Sequence, residues 1–216
     1  MKTRLPEMCF GISVAFLLCA TPAAAQETVD AADAAKVGNV PSRDVVVGAY
    51  TGLFDAYNRG GLVGIHARYR LGLFEAGGFA EVGTEGFTYY TGFGATAGLA
   101  WRTPFGLRLV AGGALGIHAY ENVGAGFLSA DPGADGTTPF AGARVGASYI
   151  FGRSQNHVEL GLMGSYDGDL TRSTVTTYYM QEDWLDGNPR AMTSTHTIGT
   201  HRFGALVTVG WTRDLL

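Results

Sequence analysis

The chain has 216 residues with 15 Lys+Arg against 19 Asp+Glu, a formal charge of −4, and only 16% of its residues are charged. With no basic patch, nucleic acid is excluded as an expected partner. The low charge content also speaks against an ordinary soluble surface.

Residues 1–25 carry Lys2 and Arg4, an apolar run from Met8 to Ala20, and Ala23-Ala24-Ala25 before Gln26, the pattern of a cleaved secretory signal peptide. Cys9 and Cys19 both fall inside it, so the exported chain uses no disulfide. Residues 26–43 are rich in Ala and Asp and closed by Pro41, which predicts a periplasmic lead-in. No stretch of the exported chain reaches the ~20 apolar residues of a membrane helix, a test that strands escape because only alternate residues need be apolar.

From residue 44 to 216 strand signals follow one another, punctuated by Gly, Pro, Asn and Asp. Eight strands are predicted. The first, Asp44 to Tyr57, has ambiguous facing, because Val45/Val47/Ala49/Leu53 and Val46/Tyr50/Phe54 are both apolar. The second sets Val63, Ile65, Ala67, Tyr69 and Leu71 against His66, Arg68 and Arg70. The third, Leu73 to Val82, opposes Phe74, Ala76, Ala80 and Val82 to Glu75 and Glu81.

The fourth and fifth, Tyr89 to Tyr120, form the cleanest hairpin, turned by Thr103-Pro104-Phe105-Gly106. Their apolar face runs from Tyr89 to Trp101 and from Leu107 to Ala119, and their other face carries Arg102, Arg108, His118 and many glycines. The sixth, Phe140 to Phe151, opposes Val145, Tyr149 and Phe151 to Arg144. The seventh opposes Val158, Leu160, Leu162 and Tyr166 to Glu159 and Asp167, and the last opposes Phe203, Val207, Val209 and Trp211 to Arg202.

Connections after the second, fourth and sixth strands are expected to be tight, and those after the third, fifth and seventh longer. Such alternation with an even, all-antiparallel strand count predicts a closed transmembrane barrel with no free edge. Glycines on the charge-bearing face suit a cramped interior, and the aromatics of the apolar face sit at strand ends. Tyr69, Phe74, Trp101, Tyr149, Phe151 and Trp211 fall at one rim and Tyr89 and Tyr166 at the other, as two headgroup-level belts require. Twelve steps of about 3.3 Å from Tyr89 to Trp101, at a tilt near 40°, rise roughly 30 Å and cross an apolar layer.

These features resemble the small eight-stranded outer-membrane barrels, such as the OmpA membrane domain, OmpX and OmpW-like proteins. The most specific segment is Arg202-Phe203-Gly204-Ala205-Leu206-Val207-Thr208-Val209, which looks like the terminal signal those proteins present to the barrel assembly machinery. The family usually ends on an aromatic; here Trp211 is followed by Thr212 to Leu216. The resemblance implies a monomer in the outer membrane of a Gram-negative bacterium, in contact with lipid and lipopolysaccharide.

Inside such a barrel would lie His66, Arg68, Arg70, Glu75, Glu81, Arg102, Arg108, His118, Arg144, Glu159, Asp167 and Arg202, expected to interlock as ion pairs and block a pore. Glu75 is near enough to meet Arg68 or Arg70. After the seventh strand, β-prone Thr174 to Met180, the turn Asp186-Gly187-Asn188-Pro189 and Thr-rich Met192 to Ile198 predict a hairpin that extends the last two strands. It would offer Tyr178, Tyr179 and Trp184 to an extracellular partner, or else fold over the mouth as a lid.

The acidic residues Glu182, Asp183 and Asp186, or Asp131 and Asp135, lack the ordered spacing of a calcium loop. Ser194 and His196, with His201 nearby, are a weak hint of a lipid-modifying enzyme. The expected function is therefore structural or interactive, with no catalytic residue, metal or cofactor; a narrow, porin-like channel or a transporter of small hydrophobic molecules is the alternative.

Overall fold

The computed structural model describes residues 43–57, 59–125, 130–152, 155–182 and 188–215. The predicted leader, nearly all of the lead-in and Trp184 lie outside them. Among the described residues there is no helix long and apolar enough to cross a membrane, which leaves a strand-built span untouched.

The described residues form ten strands: β1 (Arg43–Asp55), β2 (Arg59–Leu71), β3 (Phe74–Glu85), β4 (Thr88–Arg102), β5 (Leu107–Val123), β6 (Ala134–Phe151), β7 (Asn156–Asp169), β8 (Ser173–Glu182), β9 (Pro189–Ile198) and β10 (His201–Leu215). Eight close into an antiparallel barrel in the order β1-β10-β7-β6-β5-β4-β3-β2, and β8 and β9 form a separate two-stranded sheet. Closure runs along β1 and β10, from Arg43 opposite Leu215 to Asp55 opposite Phe203. Both ends of the barrel chain therefore lie at one end of the cylinder, and the β8–β9 hairpin lies at the other.

Side-chain alternation has a single sense around the barrel. Leu53, Ile65, Phe93, Leu115, Val145, Leu162 and Val207 are exposed on the outer wall, while Arg70, Glu75, Arg108, His118, Glu159 and Asp167 are buried inside. The first strand, ambiguous in sequence, turns Asp44, Val46, Tyr50 and Phe54 inward and Val47 and Leu53 outward. Glycines make room for the inward rings: a Cβ at Gly64 would collide with Tyr50, and one at Gly83 with Tyr90.

Several boundaries differ from expectation, each for a local reason. β3 and β4 continue to Glu85 and Thr88, so the connection expected to be long shrinks to Gly86-Phe87, with Gly86 at a φ of 63° that glycine adopts freely. β6 begins six residues early and includes Pro139. The Pro139 carbonyl accepts from the Leu170 amide, one residue past the last β6–β7 ladder pair, so the proline's missing N–H falls on the side where that ladder has ended. The hairpin is not a continuous extension of β7 and β10. The chain breaks at residues 170–172 and 199–200, where Gly199 has a φ of 103° and the Thr200 amide donates to Asp169 at 2.8 Å. The residues past Trp211 stay in the wall, with Arg213 opposite Val45 and Asp214 opposite Asp44.

Candidate functional site

Two tiers of charge fill the cylinder. Near the chain ends, Arg108 Nη1 lies 2.9 and 2.6 Å from the two Glu159 oxygens, and Arg108 also pairs with Glu75. Arg68 bonds Glu75 at 3.1 Å and stands 3.6 Å from Glu159, while Arg70 pairs with Asp44. Ser148 Oγ donates to Glu159 at 2.7 Å and Thr212 at 3.4 Å. One carboxylate thus gathers donors from β5, β6 and β10, and β2 places Arg68 beside it.

Nearer the hairpin, Arg202 Nη2 lies 2.6 Å from Glu81, 2.7 Å from His118 Nε2 and 3.0 Å from Asp167. Arg144 holds the same Asp167 through two nitrogens at 2.5 and 3.1 Å, the fork geometry of a bidentate pair. Because the guanidinium only donates, His118 Nε2 accepts, and His118 Nδ1 is the protonated nitrogen that faces Asp169 at 2.8 Å. Tyr50 donates to Glu81 at 2.7 Å and Tyr120 to Asp169 at 2.8 Å. The ring of Tyr90 lies 4.2 Å beneath the Arg202 guanidinium, and Phe140 stacks on His118 at 3.9 Å.

Between the tiers a cavity of about 50 Å³ is lined by Tyr50, His66, Phe79, Thr96, Arg144 and Thr208, among others. It is room for a water or two.

Of the twelve expected interior residues, ten are buried; Arg68 and Arg102 are half-buried. Arg102 stands apart at the rim, 3.6 Å from Asp214, which also faces His157 at 2.9 Å. His66 lies 3.1 Å from Arg68 and stacks with Tyr50. The sequence reading missed Asp44, Asp169 and the inward tyrosines Tyr50, Tyr90 and Tyr120. Tyr120 shares the strand parity of His118, Tyr90 that of Arg102 and Tyr50 that of Asp44, so the signal was present.

The metal question has a geometric answer inside the barrel. Glu81, His118 and Asp167 bring ligand atoms within 4.8 Å of one another. The Arg202 nitrogen bonds all three and occupies the point where an ion would sit.

The expected aromatic residues Tyr69, Phe74, Trp101, Tyr149, Phe151, Trp211, Tyr89 and Tyr166 are all exposed on the outer wall. Tyr149 and Phe151 pack at 4.7 Å, and Val158 is opposite both Phe151 and Trp211. At the hairpin end Tyr166 packs on Phe203 at 4.9 Å and bonds His201 at 2.8 Å.

The hairpin base is folded onto the mouth. Tyr57 donates to the Thr197 carbonyl at 3.1 Å and accepts from the Gly199 amide at 2.8 Å, and Ile198 is buried among Tyr120, Val123 and Ala134. Farther out Tyr178 is 80% exposed and Tyr179 half-buried. His196 Nε2 lies 3.1 Å from Asp131 and 3.2 Å from Thr177. Ser194 also bonds Asp131, so its hydroxyl faces a carboxylate. Burial alone would raise the Asp131 carboxyl; bonds from Ser194, the Gly133 amide and His196, with the His196 charge, hold it below the usual range. Asp135 accepts from the Asn122 amide at 2.9 Å. Asp131 in its loop and Asp135 at the start of β6 are thus both turned toward protein donors.

No family model and no curated protein matches the chain. Among solved structures it is similar to Neisserial surface protein A, at 16% identity over 79% of this chain and 97% of that one, with a TM-score of 0.50. The β domain of the Bordetella autotransporter BrkA gives 10% identity, 81% and 100% coverage and a TM-score of 0.44. Ail of Yersinia pestis, solved with a heparin analogue, gives 13%, 80%, 99% and 0.39. At these identities the likeness is one of fold, and the chain is an eight-stranded antiparallel β-barrel with the architecture of the small outer-membrane barrels.

Proposed function

We propose that the protein is a monomeric, non-enzymatic barrel of a Gram-negative outer membrane, exported by the leader at residues 1–25 and preceded by a short periplasmic lead-in at 26–43. The barrel assembly machinery inserts it, with lipid and lipopolysaccharide around its wall. One observation carries the reading: the outer wall exposes Leu, Ile, Val and Phe side chains all round, while the arginines and their acids face inward. A soluble monomer rarely exposes a contiguous apolar surface beyond a few hundred Å², whereas a bilayer demands one. The eight outward aromatics then sit at headgroup level.

The interior is a salt-bridged plug and the surface is where the protein acts. Its β8–β9 hairpin presents Tyr178 and Tyr179 to an extracellular partner, the expected third aromatic, Trp184, lying outside the described residues; the fold shared with a Neisserial surface protein agrees with that role. Removal of residues 174–195 is expected to leave heat-modifiable migration intact and abolish adhesion to host-cell or matrix surfaces. Unchanged adhesion refutes the hairpin's role. A transport reading draws on the 50 Å³ cavity between the tiers; steady single-channel current in a planar bilayer would favour it over the plug.

A further inference from the structure

At the mouth, the β1–β2 turn, the β3–β4 turn, the end of β5 and strand β9 border an open cavity of about 390 Å³. That volume lies in the range of small-molecule sites. Tyr57, Glu85, Phe87 and Val123 line it, and Thr195 and Thr197 of the hairpin close one side.

Glu85 differs from the acids below it. Glu81 has Arg202 and Tyr50, Asp167 has Arg144 and Arg202, and Asp169 has His118 and Tyr120. Glu85 is only 4% exposed and receives the Tyr57 amide, and among the described residues it has no ion-pair partner and its Oε1 no hydrogen-bond partner. A buried carboxylate without a cation is costly.

We propose that this cavity binds a small organic ammonium, with its nitrogen on Glu85 and its carbon chain against Tyr57, Phe87 and Val123. An anion does not fit. Asp55 acts on Glu85 from β1, and the one basic group in the wall among the described residues, His196 of β9, is engaged by Asp131 of the β5–β6 loop. Arg202 of β10 lies deeper and is held by Glu81 and Asp167. A hard divalent ion is also unsuited, since it takes six or more oxygens and the wall offers one carboxylate among rings and aliphatic groups.

Binding is coupled to a proton. Burial, with the charge of Asp55, pushes the Glu85 carboxyl up to about 7 against the opposing pull of the Tyr57 amide and Arg202. At neutral pH the empty site is therefore about half protonated, and the ammonium displaces that proton.

The test is calorimetric titration of the exported chain, folded in detergent, with 1,4-diaminobutane, 1,4-butanediol and Ca²⁺. The diamine is expected to bind while the diol and Ca²⁺ give no Glu85-dependent heat, and affinity is expected to fall about tenfold from pH 8 to pH 6. Glu85→Gln should weaken diamine binding by at least about tenfold and remove the pH trend. Glu85→Asp, which keeps the charge, should retain both in weakened form and supplies the answer should the Gln variant not fold. Equal heats for diamine and diol, or undiminished affinity in Glu85→Gln, overturn the proposal, as does a diamine that does not bind.

Discussion

Arg202 on β10 and Glu81 on β3 start from separate walls of the barrel and meet at 2.6 Å, with His118 and Asp167 closing on the same guanidinium nitrogen. That nitrogen neutralises acids from two strands, so removing it leaves buried charge without a partner. Arg202→Ala is expected to cost about 3–5 kcal/mol in denaturant unfolding. It should also uncover Glu81, His118 and Asp167 as a metal site, since their ligand atoms lie within 4.8 Å. Zn²⁺ should then raise the unfolding midpoint of the variant and leave the parent unchanged. A variant indifferent to Zn²⁺ would show that the three side chains disperse once the arginine is gone.

The second tier makes a separate statement about conductance. Arg108 is fully buried and tied to Glu159 and Glu75, which reach it from the strands two places away on either side, and an eight-stranded cylinder has just enough interior for such side chains. The parent protein is expected to show no steady current in a planar bilayer. Opening the plug takes loss of both tiers, so Arg108→Ala combined with Arg202→Ala should conduct where either alone does not. A steady parental current that disappears in Glu75→Ala or Arg144→Ala would instead mean that the charges form a path.

Parity carried most of the architecture into the sequence, and it failed where parity says nothing. The hairpin Tyr89 to Tyr120 was legible because aliphatic and aromatic groups alternate with glycine and charge for thirty residues. In β1 both parities are apolar, and only Asp44, one residue at its end, marks the inner face. The start of β6 was hidden because Pro139 and the surrounding Gly and Asp imitate a loop; tertiary context, the end of β7, makes that proline harmless. Asp169 was missed because its partners, His118 and Tyr120, are some fifty residues away. The break at Gly199, which folds the hairpin base onto the mouth, rests on contacts to Tyr57, 142 residues away in sequence.

Leu115 tests the outward orientation. It is 64% exposed opposite Ala95, midway between Tyr89 and Trp101 along β4. A charge there would face the middle of the hydrocarbon. Leu115→Arg is expected to destabilise the protein by about 2–4 kcal/mol in lipid vesicles, whereas the same change on a water-facing wall costs almost nothing. Equal unfolding midpoints in vesicles would place the outer wall in water.

Tyr57 is the pin between the β1–β2 turn and the hairpin. Its hydroxyl serves Thr197 and Gly199 together, so Tyr57→Phe strands a partly buried amide. A loss of about 1–2 kcal/mol is expected, confined to the hairpin base. Hydrogen exchange should quicken in residues 196–200 and not in β4 or β5. Uniform acceleration across the barrel would mean that the base is part of the global folding unit.

The mouth should also respond to pH, through two carboxyls that move in opposite directions. Asp131 is held below its ordinary value of 3.8, so its contribution is present above that pH and is lost as acid protonates it. Glu85 is raised from 4.5 to about 7 by burial and then by Asp55. Its folded state prefers the neutral acid, so that contribution is full below 4.5 and disappears as pH rises through 7. The two trends leave the mouth most stable near pH 4–5. Protection of residues 85–88 and 195–199, corrected for intrinsic exchange, should therefore peak there and decline toward pH 8. Glu85→Gln should flatten the decline above pH 5 without touching the loss in acid, because the Asp131–His196 contact remains. Protection that rises from pH 5 to 8 in the parent would mean that Glu85 is already ionised in the folded mouth and has found a cation.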